Sequence, residues 1–325
     1  MNRAFLLFLN WSTLILFAVV LVVFGVLSPK FFTGANLQNL LVQSSSSAVV
    51  AIGMTFVLLT AGVDLSVGAI MFVAAAVAGK MLLSGAPLTF ALLAVVAASL
   101  FFGAFNALLI TRLGIIAFIA TLGTLYAGRG FGLWITQTRA MNLPSSFLEI
   151  GTVRVIGIPL PLVVFALVTV VAHLTLTRTP FGRQLYAIGS NLDAAKKAGL
   201  GTRRLLASVY VICGFCAGVG CVLSLAQLGT VSPTFGANRE FTAIAAAVLG
   251  GTSLFGGHGA VFPGTILGAV LIQSVENGLV ILNADPYLYP LVTSGIIFLA
   301  VLIDSARNRL IARLNRRQIV AEELE

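Results

Sequence analysis

The residues able to do chemistry are few and far apart. Asp64 lies in Gly62-Val63-Asp64-Leu65-Ser66-Val67-Gly68, between two apolar runs, and Glu240 opens another. Asn106, Thr121, Gln227, Gln273 and Asn277 are amides and a hydroxyl set in otherwise apolar stretches. An ionised Asp at the centre of a bilayer costs about 2.5–3.5 kcal/mol on insertion scales, so in so apolar a chain Asp64 must pair, cap or face water. Two uses are open. Asp64 can cap a helix beginning at Leu65, accepting from free N–H groups near Ser66 and Val67. Alternatively, with Ser66, it lines a polar route through the membrane, and the end of a broken helix can serve both ends. Asn106, Phe118, Thr121, Glu240 and Asn277 are the other candidates for such a route, with interhelical hydrogen bonding as the alternative for each polar one.

Enzymatic chemistry finds no support in these residues. His173 and His258 are isolated, and Cys213-x-x-Cys216 with Cys221 falls in a single run with no second pair or nearby His, so no metal site is expected. The cysteines read as small packing residues. No Ser-His-Asp, Cys-His or paired-carboxylate set is visible, and no G-x-x-x-x-G-K-[ST] phosphate loop occurs. Nucleotide hydrolysis, if any drives this chain, belongs to another polypeptide.

What must position these residues follows from composition. Hydrophobic residues make up 59% of 325, charged residues 9%, and mean hydropathy is +1.07. Soluble domains carry about 25% charged residues, so most of this surface faces something other than water. Ten apolar runs appear, near 11–27, 40–61, 65–84, 88–111, 115–136, 159–177, 205–227, 240–255, 261–282 and 288–304. They are continuous where barrel strands would alternate. The expectation is an all-α, polytopic integral membrane protein with about ten transmembrane helices, some of them broken. The run at 240–255 is the weakest.

Charge sets the orientation. With ten spans both termini share a side, and that side holds thirteen of the nineteen basic residues: Arg3, Arg112, Arg178, Arg183, Lys196, Lys197, Arg203, Arg204, Arg307, Arg309, Arg313, Arg316 and Arg317. Cytoplasmic loops carry the Lys and Arg excess, so both termini are expected inside. The net charge of +9 is then a topology signal and implies no nucleic acid. The first run is read as a retained span, without a convincing cleavage site. A single membrane domain over 1–325 is expected, with a cytoplasmic loop at 182–204 and a cytoplasmic tail at 305–325.

Two further patterns matter. Gly53–Gly68 and Ala247–Gly259 each end an apolar run in a Gly-rich break and restart it, and corresponding broken spans point to a transport site near the midplane. Ser44–Ser47 is a run of small residues that lets helices approach closely. In the cytoplasmic loop, a short helix is expected from Asn191, with Asn191 as cap and a stop at Gly199 or Gly201. Ala195 and Ala198 give it a flat face, while Asp193, Lys196 and Lys197 leave another face charged.

Several of these segments together resemble the ribose/xylose/galactose-type ABC permease family. The likeness is carried by Ala51–Ala69 (AIGMTFVLLTAGVDLSVGA), Ala187–Leu200, Glu240–Gly264 (EFTAIAAAVLGGTSLFGGHGAVFPG), Phe31-Phe32, Asn106 after Phe105, Phe118-Ile119-Ala120-Thr121-Leu122 and Arg129-Gly130. It runs from about Ser28 to Asp304. The resemblance implies a permease subunit in the bacterial inner membrane, paired with a second permease chain (identical or related), fed by a periplasmic sugar-binding protein and driven by a cytoplasmic ABC ATPase that holds the ATP and Mg. It further implies that Gly189–Leu200 is the coupling helix, reaching the ATPase through Gly189, Asn191, Ala194, Ala195, Lys196, Ala198 and Gly199. The cargo implied is a small neutral sugar of pentose or hexose type, with a nucleoside, a furanone signal or a branched-chain amino acid as alternatives. An ion-coupled carrier is the alternative of another class. Two departures from the family pattern stand out: Phe241-Thr242 after Glu240, and Glu276 before Asn277-Gly278.

Overall fold

The structure, a computed structural model, describes residues 12–296 together with Phe298 and Leu302. The basic residues at Arg3 and beyond Asp304, and the tail at 305–325, lie outside the described residues. The chain is almost wholly helical. Its helices are α1 (Ser12–Leu27), α2 (Gly34–Leu59), α3 (Val67–Leu83), α4 (Leu88–Thr111), α5 (Ala117–Thr136), α6 (Ser145–Thr152), α7 (Leu160–Arg178), α8 (Pro180–Ser190), α9 (Leu192–Lys197), α10 (Thr202–Leu228), α11 (Arg239–Leu249) and α12 (Ile266–Ile281). Among the described residues, strands are confined to two-residue pairs in the segments beside α6 and after α10.

Five of these helices are long and apolar enough to cross a membrane, by length and composition, among the described residues: α2, α4, α7, α10 and the turn-plus-helix Val261–Ile281. α1 and α3 are shorter apolar helices. The expected run at 240–255 is corrected: only Arg239–Leu249 is helical, 11 residues, and a Gly-rich loop follows. At 1.5 Å per residue that helix reaches about 16 Å, half of a hydrocarbon core of about 30 Å. The helix stops where Gly250, Gly251, Gly256, Gly257 and Gly259 leave no side chains to pack and several positive φ angles break the helical path. The last expected run begins as helix over 288–296, and most of its remainder lies outside the described residues.

The described chain forms two compact units, Leu37–Gln273 and a smaller one built from the residues before and after it. In the smaller unit the rings of Phe24 and Phe31 stack at 5.7 Å, and Asn36 and Asn277 exchange amide hydrogen bonds, both at 3.0 Å.

In the larger unit α10 packs along α4, and α3 lies against α4, α5 and α10. Small residues explain how close α4 and α10 come. A Cβ at Gly214 would lie 2.6 Å from the Ser99 carbonyl, and one at Gly103 would lie 2.7 Å from the Tyr210 carbonyl. Ser99 and Gly103 on one helix thus face Gly214 and Gly218 on the other, each pair four residues apart. Without a hydrophobic drive between helices in lipid, such close backbone approach is what holds them. The serine run acts in the same way: Ser44–Ser47 is wholly buried, and Ser46 donates to the Gly220 carbonyl on α10 at 2.8 Å.

Candidate functional site

Between α2 and α3 the helix breaks, and Asp64 occupies the break with no exposed surface. Its Oδ1 accepts from the Ser66 backbone N–H at 2.9 Å, from the Ser66 hydroxyl at 2.6 Å and, at the outer limit of 3.5 Å, from the Asn106 amide. Asn106 also donates to Ser66 Oγ at 2.8 Å and accepts on Oδ1 from the Thr124 hydroxyl at 2.8 Å. The Thr121 hydroxyl donates to the Ala117 carbonyl at 2.8 Å and reaches the Val63 carbonyl at 3.5 Å. Three elements therefore close a chain of polar groups around one carboxylate: the break itself, α4 and α5. Asp64 Oδ2 has no donor within hydrogen-bond geometry, and the Cys213 thiol on α10 is a neighbour of the carboxyl.

The expected cap is modified by this geometry. α3 begins at Val67 and not Leu65, and Asp64 takes the Ser66 N–H alone of the two expected donors. The reason is that Ser66 folds its own hydroxyl onto the same oxygen, closing a two-residue turn ahead of the helix. Thr124 was missed in sequence. Its signal was the three-residue step from Thr121, which puts both hydroxyls on the same side of α5.

Glu240 belongs to a second cluster. It is buried at the start of α11, and a Cβ at Gly68 would collide with its Oε2 and with the Gly236 carbonyl. Arg129 on α5 donates to the Phe235 carbonyl at 2.6 Å, stands over the Phe72 ring at 5.4 Å from its centroid and attracts Glu240 electrostatically. Cation–π placement of this kind lets a guanidinium sit at low cost where water is scarce. Asn277 lies with Asn36 in the smaller unit, and Phe118 is 54% exposed on α5. Of the route candidates in the larger unit, the structure thus gathers Asp64, Ser66, Asn106 and Thr121, places Glu240 in the second cluster and leaves Phe118 exposed, while Asn277 belongs to the smaller unit. Gln227 donates to the Val42 carbonyl at 3.0 Å and Gln273 to Gln43 at 3.1 Å, both bonds between helices.

The histidines and cysteines form no cluster. His173 meets Phe262 edge to face, all three cysteines are free and buried, and no group that would hold a metal ion occurs among the described residues. Cys213 and Cys216 lie against Gly53 of α2, and the Cys221 thiol donates to the Met71 carbonyl at 3.3 Å.

The two Gly-rich breaks meet. Gly257 donates its N–H to the Leu59 carbonyl, the last of α2, at 3.0 Å. Gly189, at the end of α8, lies against both atoms of that bond, so closely that a Cβ there would strike each of them. Tyr186, one turn earlier, donates its hydroxyl to the Gly259 carbonyl at 2.8 Å. Burial holds this phenol above its ordinary pKa, so it remains a donor across the physiological range. Gly189 is thus an internal contact, committed to this crossing.

α9 follows directly. Asn191 caps it, accepting from the Ala194 N–H at 2.9 Å, and Gly199 ends it at φ +78, the left-handed stop. Gly201 instead precedes α10 at φ −72. Asp193 and Lys196 approach to 3.6 Å on the exposed side. One expectation is corrected here: Ala195 and Ala198 share no outward face. Ala195 is 5% exposed and turned into the protein, whereas Ala194, Lys196, Ala198 and Gly199 are exposed. In so short a helix, with its connections to α8 and α10 fixing the roll, the position three residues back from Ala198 turns inward.

Known proteins resemble this chain along nearly its whole length. The D-allose transport system permease protein AlsC of Escherichia coli (strain K12) is 36% identical over 91% of each chain. The ribose import permease protein RbsC of Bacillus subtilis (strain 168) is 37% identical over 90% of this chain and 91% of its own. The xylose transport system permease protein XylH of Haemophilus influenzae (strain ATCC 51907 / DSM 11121 / KW20 / Rd) is 31% identical over 91% and 96%. No solved structure matches. Residues 36–303, which include both Gly-rich breaks and the loop that crosses them, match one family along their entire span, and the chain belongs to that family, described as branched-chain amino acid transport system / permease component.

Proposed function

We propose that this chain is the membrane-spanning subunit of an ATP-binding-cassette importer for a small neutral sugar. One observation carries the reading: full-length similarity to the allose, ribose and xylose permeases coincides with a buried cluster of hydroxyls and amides at a helix break. Among the described residues, the groups that hydrogen-bond in the Asp64 cluster are hydroxyls, amides and backbone, with no fixed cation of the kind an anionic cargo would need. The family description names branched-chain amino acids, so leucine belongs in any test of cargo. Proteoliposomes holding the chain, its ATPase and a pentose- or hexose-binding protein are expected to accumulate that sugar only with ATP inside the reaction, and leucine is expected not to compete. Uptake driven by a proton or sodium gradient without the ATPase would overturn the reading.

In this reading the chain lies in the bacterial inner membrane with the α8–α9 loop and both termini in the cytoplasm. It pairs with a second permease chain, receives sugar from a periplasmic binding protein, and takes its ATPase on α9. The exposed side of α9 presents Ala194, Lys196, Ala198 and Gly199 to that partner, while Asn191 and Gly189 hold the helix in place. Ala198 is the exposed C-cap of α9 but caps through its backbone alone, and an exposed side chain with no buried contact changes stability by less than about 0.5 kcal/mol. Ala198→Trp is therefore expected to leave the chain inserted and equally stable but to prevent co-purification of the ATPase, whereas Ala195→Trp disturbs the fold itself. A cysteine at Ala198 should react with an impermeant maleimide only after the membrane is opened. Normal assembly of the Ala198→Trp complex, or labelling of intact cells, would place the docking surface elsewhere.

A further inference from the structure

The ends of α4 and α10 form a basic recess that transport, as described above, leaves unused. A cavity of about 640 Å³ opens there, lined by Thr111, Arg112, Leu200, Arg203, Arg204 and Ala207 among others. Arg203 donates from Nε to the Thr111 carbonyl at 2.7 Å and reaches the Arg112 carbonyl at 3.5 Å, so it closes the end of α4 and fixes the spacing of the two helices. Arg112 and Arg204 are exposed, and the nearby acid Asp193 is already engaged with Lys196 at 3.6 Å. Three guanidinium groups line one recess, and no carboxylate is among the described residues that line it. Planar, always charged and rich in donors, they suit an anion with several acceptor oxygens, a phosphate above all.

A second observation is independent of charge. Phe101, Phe105 and Leu108 on α4 and Arg112 at its C-cap stand at i, i+4, i+7 and i+11, the spacing of one helix face. The three apolar members are 65%, 40% and 49% exposed, and the Phe101 and Phe105 rings stack at 6.3 Å. The stripe runs from the arginines into an apolar cleft of about 530 Å³ whose walls include Val73, Ala98, Phe102 and Phe131. Eleven residues from Arg112 to Phe101 span about 16 Å, which is the depth of one leaflet.

We propose that recess and stripe together bind an anionic phospholipid, its phosphate held by Arg112, Arg204 and the spare N–H groups of Arg203, and one acyl chain laid along Leu108, Phe105 and Phe101. A free phosphate satisfies the arginines equally well, and so does a carboxylate of a protein partner. The hydrocarbon-deep stripe that ends at the charge favours the lipid. The site does not depend on which cargo the protein carries.

The test uses the purified full chain in lipid nanodiscs and detergent, with native mass spectrometry and thermal shift as readouts and phosphatidylglycerol, phosphatidylcholine and inorganic phosphate as probes. The wild type is expected to prefer phosphatidylglycerol over phosphatidylcholine by about 30-fold, roughly fivefold for each freely exposed arginine near the surface. Arg112→Gln with Arg204→Gln should bring that preference close to parity, and Arg112→Lys with Arg204→Lys should retain most of it, which separates lost charge from lost fold. Phe105→Ser with Leu108→Ser should weaken the lipid while leaving any inorganic phosphate binding unchanged. Equal binding of the two lipids by the wild type, or an unaltered preference in the glutamine variant, would overturn the proposal. So would phosphatidylglycerol binding that survives loss of the apolar stripe, since that marks a site for free anions or for a protein carboxylate.

Discussion

Gly189→Ala is expected to lower ATP-driven transport by about 100-fold while the helices remain inserted. The added methyl group would strike two backbone atoms, the Leu59 carbonyl oxygen and the Gly257 nitrogen, and those two atoms are bonded to each other. Neither is the tip of a flexible side chain, so one of three strands of backbone must move. Overpacking of this kind costs about 1–3 kcal/mol, and the displaced hydrogen bond adds about 1 kcal/mol. A shift of about 3 kcal/mol in the geometry that joins α8 to both helix breaks corresponds to about a hundredfold. Gly199→Ala is the control. It stands at φ +78 with nothing within 4 Å of a new Cβ, so its cost is only the local one of a left-handed alanine, about 1–2 kcal/mol. ATPase stimulation by the loaded binding protein, measured in both variants, reads the difference. Equal loss in the two, or no loss in Gly189→Ala, would show that the crossing transmits nothing.

Asp64→Leu is expected to abolish recovery of folded protein, and Asp64→Asn to preserve it. Leucine removes the acceptor of the Ser66 N–H, the Ser66 hydroxyl and the Asn106 amide, all of them buried. Each donor left unsatisfied costs about 1–3 kcal/mol. Asparagine keeps the oxygen at Oδ1 and its size, so the break retains its shape, and transport is expected within a few-fold of wild type. Detergent-extracted yield, monodispersity and sugar uptake decide the matter. A folded Leu variant would deny Asp64 its positioning role, and a folded Asn variant without transport would assign the work to the charge.

The class of the fold was legible because hydropathy acts over whole helices: the limits of α4, α7 and α10 fall within a few residues of the apolar runs expected for them. α11 was not, since a half-span and a full one have the same composition until the glycines after Leu249 are weighed as a stop. Asn191 and Gly199 were readable as cap and stop because both effects are local. The inward turn of Ala195 was not, because the roll of a six-residue helix is set by what its two ends connect to. At the site, a buried Asp in an apolar chain demanded partners, but sequence spacing did not select Asn106 and Thr124 from the other amides and hydroxyls. Gly189 shows the same limit. Its glycine was visible as part of a loop motif, while the reason for it lies in the Leu59 carbonyl and the Gly257 N–H, both far away along the chain.

The partners of Asp64 also impose an order on how the protein is made. Ser66 leaves the ribosome almost with it, but Asn106 comes 42 residues later. At about 5–20 residues per second, the carboxylate waits about 2–8 s for its amide partner. During that interval, α2 and α3 carry an acid whose ionised form lipid alone disfavours by about 2.5–3.5 kcal/mol. The hairpin is therefore expected to linger beside the insertion machinery until α4 arrives, so that the first four helices partition into the bilayer as a group and damage to α4 is felt first as a failure of α3 to enter.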